Sequence, residues 1–226
     1  MDRNTGVTTM RTLTRHTVAL ALAFVLAIPS FGVAEAPVRA LNIMPLHNQA
    51  GQNFCTAWHI NSKNDLWATA GHCVAGAYRR GYTMMIAGRV ATLVYINYGE
   101  ENDIAVLQVR GVKATPFQLA SRAPESCKVV MGERVCAEIF VIGYPYGLPV
   151  LTTTPGIIAA RRVPMGMQPT SDILTAAVAG GNSGSPVLDK QGRVVGLLWG
   201  AFTESPHSLA IPYEAVKRDI GVYFGR

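Results

Sequence analysis

The sequence has no dense run of basic residues. Its 20 Lys and Arg residues are scattered, and the arginine pairs Arg79-Arg80 and Arg161-Arg162 stand far apart. A nucleic-acid-binding face needs a continuous basic stripe with aromatic or amide side chains among the charges. We therefore expect no nucleic-acid partner, and we interpret the formal net charge of +6 as solvated surface charge.

The apolar run at residues 18–28 is too short to span a membrane, because it has about half of the ~20 residues that a spanning helix needs. Arg11 and Arg15 shortly precede the run, a proline ends it and small residues follow, which is the layout of a secretory signal peptide. We predict that residues 1–34 are removed by cleavage after Ala34; cleavage after Ala40 and an uncleaved anchor are the alternatives. The mature chain loses three basic residues and one acidic residue, which leaves a net charge of +4. It is expected to be secreted or periplasmic, without stable membrane insertion.

Cysteine is rare, and no two cysteines have the C-x-x-C spacing of many zinc sites. All four lie in the mature chain, and an even number in an exported chain indicates disulfides; zinc ligation is the alternative. Cys127 and Cys136 are expected to close a hairpin. Because Glu100, Glu101 and Asp103 lack the spacing of a calcium loop, we expect no metal and no other cofactor.

No long amphipathic helix is indicated before the C-terminus, and short β-branched segments alternate with turns in a chain that has 22 glycines. This pattern predicts an all-β protein. Residues 110–126 contain prolines and are weakly patterned, which indicates a linker between two sets of strands. Pro212 begins a helix that continues to Ile220. The predicted strands lie at residues 53–60, 66–70, 82–86, 90–96, 103–109, 129–131, 134–135, 137–142, 151–160, 173–178, 186–188, 194–199 and 208–211.

Three polar residues stand in local sequences that favour catalysis. His72 follows Thr-Ala-Gly, Asp103 opens an apolar strand, and Ser183 lies in a glycine-rich turn. A serine hydroxyl is a weak nucleophile, so it needs a base, a group that orients the base, and donors for an oxyanion. Each of the three residues alone is more often structural. Together they predict a nucleophile, a general base and an orienting carboxylate.

The segments Thr-Ala-Gly-His-Cys at residues 69–73, Asp-Ile-Ala-Val-Leu at 103–107 and Gly-Asn-Ser-Gly-Ser-Pro at 181–186 resemble the three active-site motifs of chymotrypsin-like serine peptidases. The resemblance extends over about residues 50–220. Three motifs in the same order make it highly specific.

This resemblance implies two six-stranded antiparallel Greek-key barrels, a short C-terminal helix and a site between the barrels. Residues 35–122 would form the barrel that carries the histidine and the aspartate. Residues 123–226 would form the barrel that carries the serine. The resemblance also implies a disulfide between Cys55 and Cys73, which closes around the histidine.

The resemblance also implies an oxyanion hole formed by the backbone N–H groups of Gly181 and Ser183. Two positions depart from the trypsin pattern. Asn182 replaces the aspartate that pairs with a freshly cut N-terminus, so we infer that activation needs no new N-terminus beyond removal of the signal peptide. Leu198 replaces a serine near the triad aspartate, so Asp103 must find other donors, such as backbone N–H groups or water.

Two bacterial subgroups are the most similar. Residues 143–148, 155–158 and 210–212 resemble HtrA-type peptidases, and residues 180–187 and 196–200 resemble glutamyl endopeptidases. The PDZ domain that follows the peptidase in HtrA-type proteins is not expected, since the sequence ends directly after the predicted C-terminal helix.

By the same resemblance, five residues wall the pocket for the side chain that precedes the scissile bond: Ala177, Val178, Leu198, Trp199 and Gly200. None supplies the carboxylate of a trypsin pocket or the histidine of a glutamate pocket, although His207 is an alternative source of a histidine. An apolar lining favours small to medium apolar side chains, such as those of Val, Ala, Leu or Met.

The sequence therefore predicts a secreted or periplasmic serine endopeptidase that acts on protein and peptide substrates through an acyl-enzyme. A catalytically silent peptide-binding module on the same fold and an esterase that uses the same triad are the alternatives. The extended cleft edges of a two-barrel fold favour peptide binding by strand addition, which ranks the esterase lower. The oligomeric state is left open.

Overall fold

The computed structural model describes residues 42–112 and 114–224. The predicted signal peptide, residues 1–34, lies outside the described residues. Within the described ranges, no helix has the length and the apolar character needed to cross a bilayer.

Seven antiparallel strands form the first sheet, namely β1 (Ile43–His47), β2 (Asn53–Asn61), β3 (Leu66–Thr69), β4 (Met85–Ile86), β5 (Arg89–Val90), β6 (Thr92–Tyr98) and β7 (Asp103–Gln108). Their spatial order is β5-β4-β1-β2-β3-β7-β6. A helix, α1 (Gly71–Arg79), connects β3 to the β4–β5 hairpin.

A two-stranded hairpin follows the linker, with strands β8 (Lys128–Val130) and β9 (Glu133–Val135). Six further strands close into a barrel: β10 (Glu138–Gly143), β11 (Thr152–Val163), β12 (Ser171–Leu174), β13 (Pro186–Leu188), β14 (Val194–Ala201) and β15 (Ser208–Pro212). Around this second barrel the order is β10-β11-β12-β15-β14-β13. The chain then enters helix α2 (Tyr213–Ile220).

The all-β prediction, the closed second barrel and the C-terminal helix are confirmed. The first sheet differs from a six-stranded barrel, because it has seven strands and curls without pairing β5 to β6 in the described ranges. A tight turn at Ala87 and Gly88, with φ of 49° and 72°, joins β4 to β5. The predicted strand 82–86 is reduced to β4, and the predicted strand 90–96 is divided at Ala91 between β5 and the longer β6. The predicted domain boundary at residue 122 stays a prediction.

Helix α1 was not expected from the sequence. Its N-cap, Ala70, has no side chain that could accept a hydrogen bond, and Gly71 and Gly76 lower its intrinsic helix propensity. The carboxylate of Asp103, 31 residues away in sequence, instead accepts a hydrogen bond of 2.6 Å from the backbone N–H of His72. Because the cap comes from another strand, no local pattern indicates this helix.

Helix α2 joins two apolar clusters that fill the interior. The first cluster contains the fully buried Trp58 and Trp67, and it also takes in Val216 and Ile220 from the inner face of α2. Tyr213, at the start of the same helix, packs in the second cluster with side chains of the second barrel. Full burial of an aliphatic side chain contributes about 1.5–3 kcal/mol. The helix therefore fastens the first sheet to the second barrel.

Acidification below about pH 6.5 is expected to destabilise the fold through His59. This side chain is fully buried, with its ring 5.0 Å from that of Trp67. Burial lowers the pKa of His59 below 6.5, and the charge of Asp65 offsets this only in part. The unfolded chain therefore binds the proton first as the pH falls, and this group takes away at most about 1.4 kcal/mol of unfolding free energy per pH unit.

Urea unfolding of the wild type and of His59→Leu at about pH 7.5 and about pH 5.5 checks this expectation. The variant should lose less stability between the two pH values. Equal losses in both proteins would show that His59 does not carry the acid sensitivity.

Candidate active site

Strand pairing brings His72 next to Asp103. His72 lies in the first turn of α1, directly after β3, and Asp103 begins β7, which pairs with β3. His72 Nδ1 lies 2.6 Å from Asp103 Oδ2. The histidine side chain is 33% exposed and that of the aspartate 4% exposed, so the imidazole reaches the cleft while the carboxylate stays inside.

The second carboxylate oxygen of Asp103 accepts the backbone N–H of His72 at 2.6 Å. This donor comes from the first turn of a helix, where unpaired N–H groups and the helix dipole favour negative charge. A carboxylate that accepts one bond from the imidazole and one from the helix has a fixed orientation. Leu198 leaves Asp103 without the nearby serine of the trypsin pattern. The backbone N–H of His72 supplies a hydrogen-bond donor to this carboxylate instead.

Asn102 extends this arrangement to helix α2. Its Oδ1 accepts the backbone N–H of Asp103 at 2.9 Å, and its amide nitrogen donates to Asp219 Oδ2. Asn97 donates to the same Oδ2 at 2.7 Å, and Arg218 Nε donates to Oδ1 at 2.6 Å. A buried carboxylate on α2 thus holds the residue that precedes Asp103.

The turn that carries Ser183 approaches the first sheet closely. Ser183 O accepts the Thr56 N–H at 2.8 Å, and Gly184 O accepts the Trp58 indole N–H at 2.9 Å. Gly184 has φ of 88°, and a Cβ there would collide with the carbonyl oxygen of Thr56 and the hydroxyl of Thr69. Only glycine fits both the conformation and the space at this position.

The backbone N–H groups of Gly181 and Ser183, in this turn, have no hydrogen-bond acceptor among the described residues. The oxygen of the Gly180–Gly181 peptide accepts the Tyr146 N–H at 2.5 Å. In a trans peptide the N–H points opposite to the C=O. The Gly181 N–H is therefore directed away from Tyr146.

Ser183 and His72 both lie close to the Cys73 sulfur. Cys73 Sγ is 3.7 Å from His72 Nε2 and 3.9 Å from the backbone oxygen of Ser183. The serine hydroxyl contacts Trp199 O at 3.5 Å, and no hydrogen bond joins it to His72 Nε2 in the described part of the chain. The structure thus brings the three predicted residues together, with the hydroxyl turned toward the Trp199 carbonyl.

Both predicted cysteine pairs are at disulfide distance, and among the described residues no cysteine is free. Cys55–Cys73 joins β2 to α1, and Cys127–Cys136 closes the base of the β8–β9 hairpin. Because Cys55 and Cys73 are bonded to each other, the group that they form with His72 offers no thiolate to a metal ion.

The residues predicted to wall the specificity pocket have different environments. β12 ends at Leu174 rather than continuing to residue 178, so Ala177 lies in an irregular segment and is exposed. Val178 is half-buried against the second cluster. The side chain of Leu198 is only 1% exposed, inside that cluster, so this residue presents its backbone rather than its side chain. Trp199 and Gly200 are half-buried.

A cleft of about 430 Å³ lies next to His72, and Tyr98, Met167 and Trp199 are among its walls. The indole N–H of Trp199 donates to Ser171 Oγ at 2.9 Å, which fixes this wall. The cleft has room for substrate residues beside the histidine.

Sequence reasoning missed three contributors to the site: Thr56, Asn102 and Tyr146. Asn102 could have been noticed, because it directly precedes Asp103. The roles of the other two depend on contacts with residues more than 30 positions away, at Gly181 and Gly180 respectively.

A family model for the trypsin-like peptidase domain matches residues 55–197. A protein of Brucella suis biovar 1 (strain 1330) named "Probable periplasmic serine endoprotease DegP-like" is 35% identical over 113 residues, which cover 49% of this chain and 21% of the relative. A protein of the same name from Hahella chejuensis (strain KCTC 2396) is 30% identical over 165 residues, or 72% of this chain and 33% of the relative. The matches thus span about a fifth to a third of the length of these relatives.

Solved structures share the fold. The active form of the Rv3671c protease from M. tuberculosis has a TM-score of 0.58 at 23% identity, covering 82% of this chain and 83% of that chain. The HtrA-type protease AlgW with a tripeptide has a TM-score of 0.60 at 24% identity, covering 81% of this chain and 59% of that chain. Since the family model covers more than half of the sequence, the chain belongs to the family of the trypsin-like peptidase domain.

Proposed function

We propose that the protein is a serine endopeptidase in which Ser183 is the nucleophile, His72 the general base and Asp103 the group that orients the base. The observation that carries this proposal is the 2.6 Å contact between His72 Nδ1 and Asp103 Oδ2, close to a turn whose Gly181 and Ser183 N–H groups have no acceptor among the described residues. Family membership and the names of the DegP-like relatives support the same reaction class.

The reaction begins with rotation of the Ser183 hydroxyl from Trp199 O toward His72 Nε2. Nε2 takes the proton as Oγ bonds to the carbonyl carbon of the scissile peptide, and the carbonyl electron pair moves onto its oxygen. The N–H groups of Gly181 and Ser183 bind this oxyanion. One such donor lowers the barrier by about 3 kcal/mol.

The protonated His72 then gives its proton to the leaving nitrogen as the C–N bond breaks, which leaves an acyl group on Ser183. Water, deprotonated by His72, attacks the ester in the second half of the cycle and restores the serine. Asp103 holds the proton on Nδ1 throughout. This keeps Nε2 free to accept a proton and stabilises the imidazolium.

The proposal is tested by incubating the mature protein with a proteome-derived peptide library and sequencing the products by mass spectrometry. The wild type should cleave the library, and Ser183→Ala should show no cleavage above background. Ser121→Ala changes an exposed serine of the linker and serves as the matched control, which should cleave like the wild type. Cleavage by Ser183→Ala at the wild-type rate would refute the assigned nucleophile.

Two other outcomes of this experiment identify the alternatives. A wild type that hydrolyses ester substrates and leaves the peptide library intact would be an esterase. A wild type that binds peptides and hydrolyses neither kind of substrate would be a binding module.

We propose that the residue before the cleaved bond is small to medium and apolar. In support, Ala177 and Val178 supply no charge, and the His207 imidazole is already hydrogen-bonded to Ser205 Oγ at 2.6 Å. The library profile should therefore be dominated by Val, Ala, Leu and Met at that position. A profile dominated by Arg, Lys or Glu would contradict this assignment.

We also propose that the protein works in the periplasm or outside the cell. The signal-like layout of residues 1–34, the two cysteine pairs and the periplasmic relatives support this location. Activation requires no new N-terminus in this proposal, because the buried side chain of Asn182 carries no charge to pair with one.

A further inference from the structure

Thr56 lies in β2 of the first sheet and contacts the turn that carries Ser183, and its side chain is fully buried. We propose that Thr56 is a positioning residue that holds the nucleophile turn and its two oxyanion donors in the reactive arrangement. This inference rests on the proposed peptidase function and assigns a role to a residue outside the triad.

Thr56 holds the nucleophile turn at two points. Its backbone N–H donates to Ser183 O at 2.8 Å, and its hydroxyl donates to Gly181 O at 2.9 Å. The Ser183 N–H belongs to the peptide between these two anchored carbonyls. Because each peptide is planar, fixing the carbonyls at both ends restricts the direction in which this N–H can point.

The turn needs such an external restraint because of its glycines. Gly181 has φ of 96°, a conformation that glycine leaves as readily as it enters. Within the turn itself, Asn182 N–H bonds to Ala179 O at 3.1 Å, and Ser185 N–H bonds to Asn182 O at 2.9 Å. The first bond holds the N–H edge of the Gly181–Asn182 peptide, and the Thr56 hydroxyl holds the carbonyl edge of the same peptide from the first sheet.

The Thr56 hydroxyl also connects a third segment. It accepts the backbone N–H of Tyr144 at 3.0 Å while it donates to Gly181 O. Two residues later, Tyr146 N–H donates to Gly180 O. One hydroxyl thus couples the Tyr144–Tyr146 turn to the peptides that present both oxyanion donors, and a hydrogen-bond chain of this kind strengthens each of its members.

The residues around the Thr56 hydroxyl are closely packed. A Cβ on Gly143 would stand 2.9 Å from Thr56 Oγ1 and 2.8 Å from Asn182 Oδ1, and it would collide with Ser185 Oγ. Thr69 Oγ1 donates to the carbonyl oxygen of Thr56 at 2.8 Å and holds its backbone from the other side. The space around the Thr56 hydroxyl is therefore filled by its hydrogen-bond partners and neighbours, and it leaves no room for a side chain at position 143.

The test compares Thr56→Val, which keeps the shape and loses the hydroxyl, with Thr56→Ser, which keeps the hydroxyl and loses the methyl group. We expect kcat of Thr56→Val to fall roughly 10- to 100-fold, with KM changed less than about threefold, because the turn acts on the transition state more than on substrate binding. Thr56→Ser should retain kcat within about threefold of the wild type.

A second measurement separates positioning from general destabilisation. A peptide boronate forms an anionic tetrahedral adduct on the serine and engages the oxyanion donors, so its affinity should fall in Thr56→Val in parallel with kcat. Urea unfolding gives the folded fraction in the assay, and should Thr56→Val fail to fold, Thr56→Ala carries the same comparison.

The inference is overturned if Thr56→Val retains wild-type kcat, if Thr56→Ser loses as much as Thr56→Val, or if kcat falls only in proportion to the folded fraction. These results differ from failure of the proposed function. If the proposed function itself fails, the wild type has no more activity than Ser183→Ala. Both the peptidase assignment and the role of Thr56 are then refuted.

Discussion

Asp103→Asn is expected to lower kcat for peptide hydrolysis by about 10⁴-fold while the protein stays folded. The reason follows from the two hydrogen bonds of the carboxylate. Asp103 Oδ1 accepts the His72 backbone N–H, so the amide oxygen of an asparagine must face that group. Its NH₂ then faces His72 Nδ1, where Oδ2 now lies at 2.6 Å.

An NH₂ group at that place is a donor, so it requires His72 Nδ1 to be unprotonated. The ring proton then moves to Nε2, which can no longer accept the proton of Ser183. Steady-state kinetics of Asp103→Asn and of the control Asp65→Asn, a substitution at a loop position, measure the effect. If Asp103→Asn retained more than about a tenth of the wild-type kcat, the role of Asp103 as the orienting group would be wrong.

Gly184→Ala is expected to lower the unfolding free energy by about 3 kcal/mol or more and to abolish measurable activity. An alanine here has a strained φ of 88° and a Cβ that lies 2.9 Å from the Ala70 N and collides with Thr56 O. To relieve the collision, the nucleophile turn must move away from β2. This movement breaks the bonds from Thr56 N–H to Ser183 and from the Trp58 indole to Gly184.

Gly51→Ala is the matched control, because Gly51 also has a positive φ, of 78°, and none of the residues that the structure describes comes within 4 Å of its added Cβ. Urea unfolding of both variants separates conformational strain from the collision. The control should lose only about 1–2 kcal/mol, the strain contribution alone. Equal losses at the two positions would show that the close approach of the turn to β2 does not limit stability.

The parts of the site that the sequence predicts are those carried by short motifs. His72, Asp103 and Ser183 stand in three short motifs that together predict a triad, and the structure places the three motifs close to one another. The strands β2, β7 and β14, which are buried along most of their length, were predicted to within a residue or two. In each case the information lies within about ten consecutive residues.

The parts that the sequence does not predict depend on contacts between distant segments. Helix α1 begins where a carboxylate 31 residues away caps it, and Asn102 is held by Asp219, 117 residues away. β12 ends four residues earlier than predicted, which places Ala177 outside any strand. A single sequence does not reveal these contacts between distant segments. Taken alone, each of the residues is a common polar or small residue in its own segment.

The central claim is that Ser183 is an activated nucleophile, and covalent labelling tests it most directly. The folded mature protein is treated with a fluorophosphonate probe, and the modified peptide is sequenced by mass spectrometry. The account predicts a single adduct on the Ser183 oxygen, slow labelling in Asp103→Asn and none in Ser183→Ala. A folded wild type that stays unlabelled, or that carries the adduct on another residue, would contradict it.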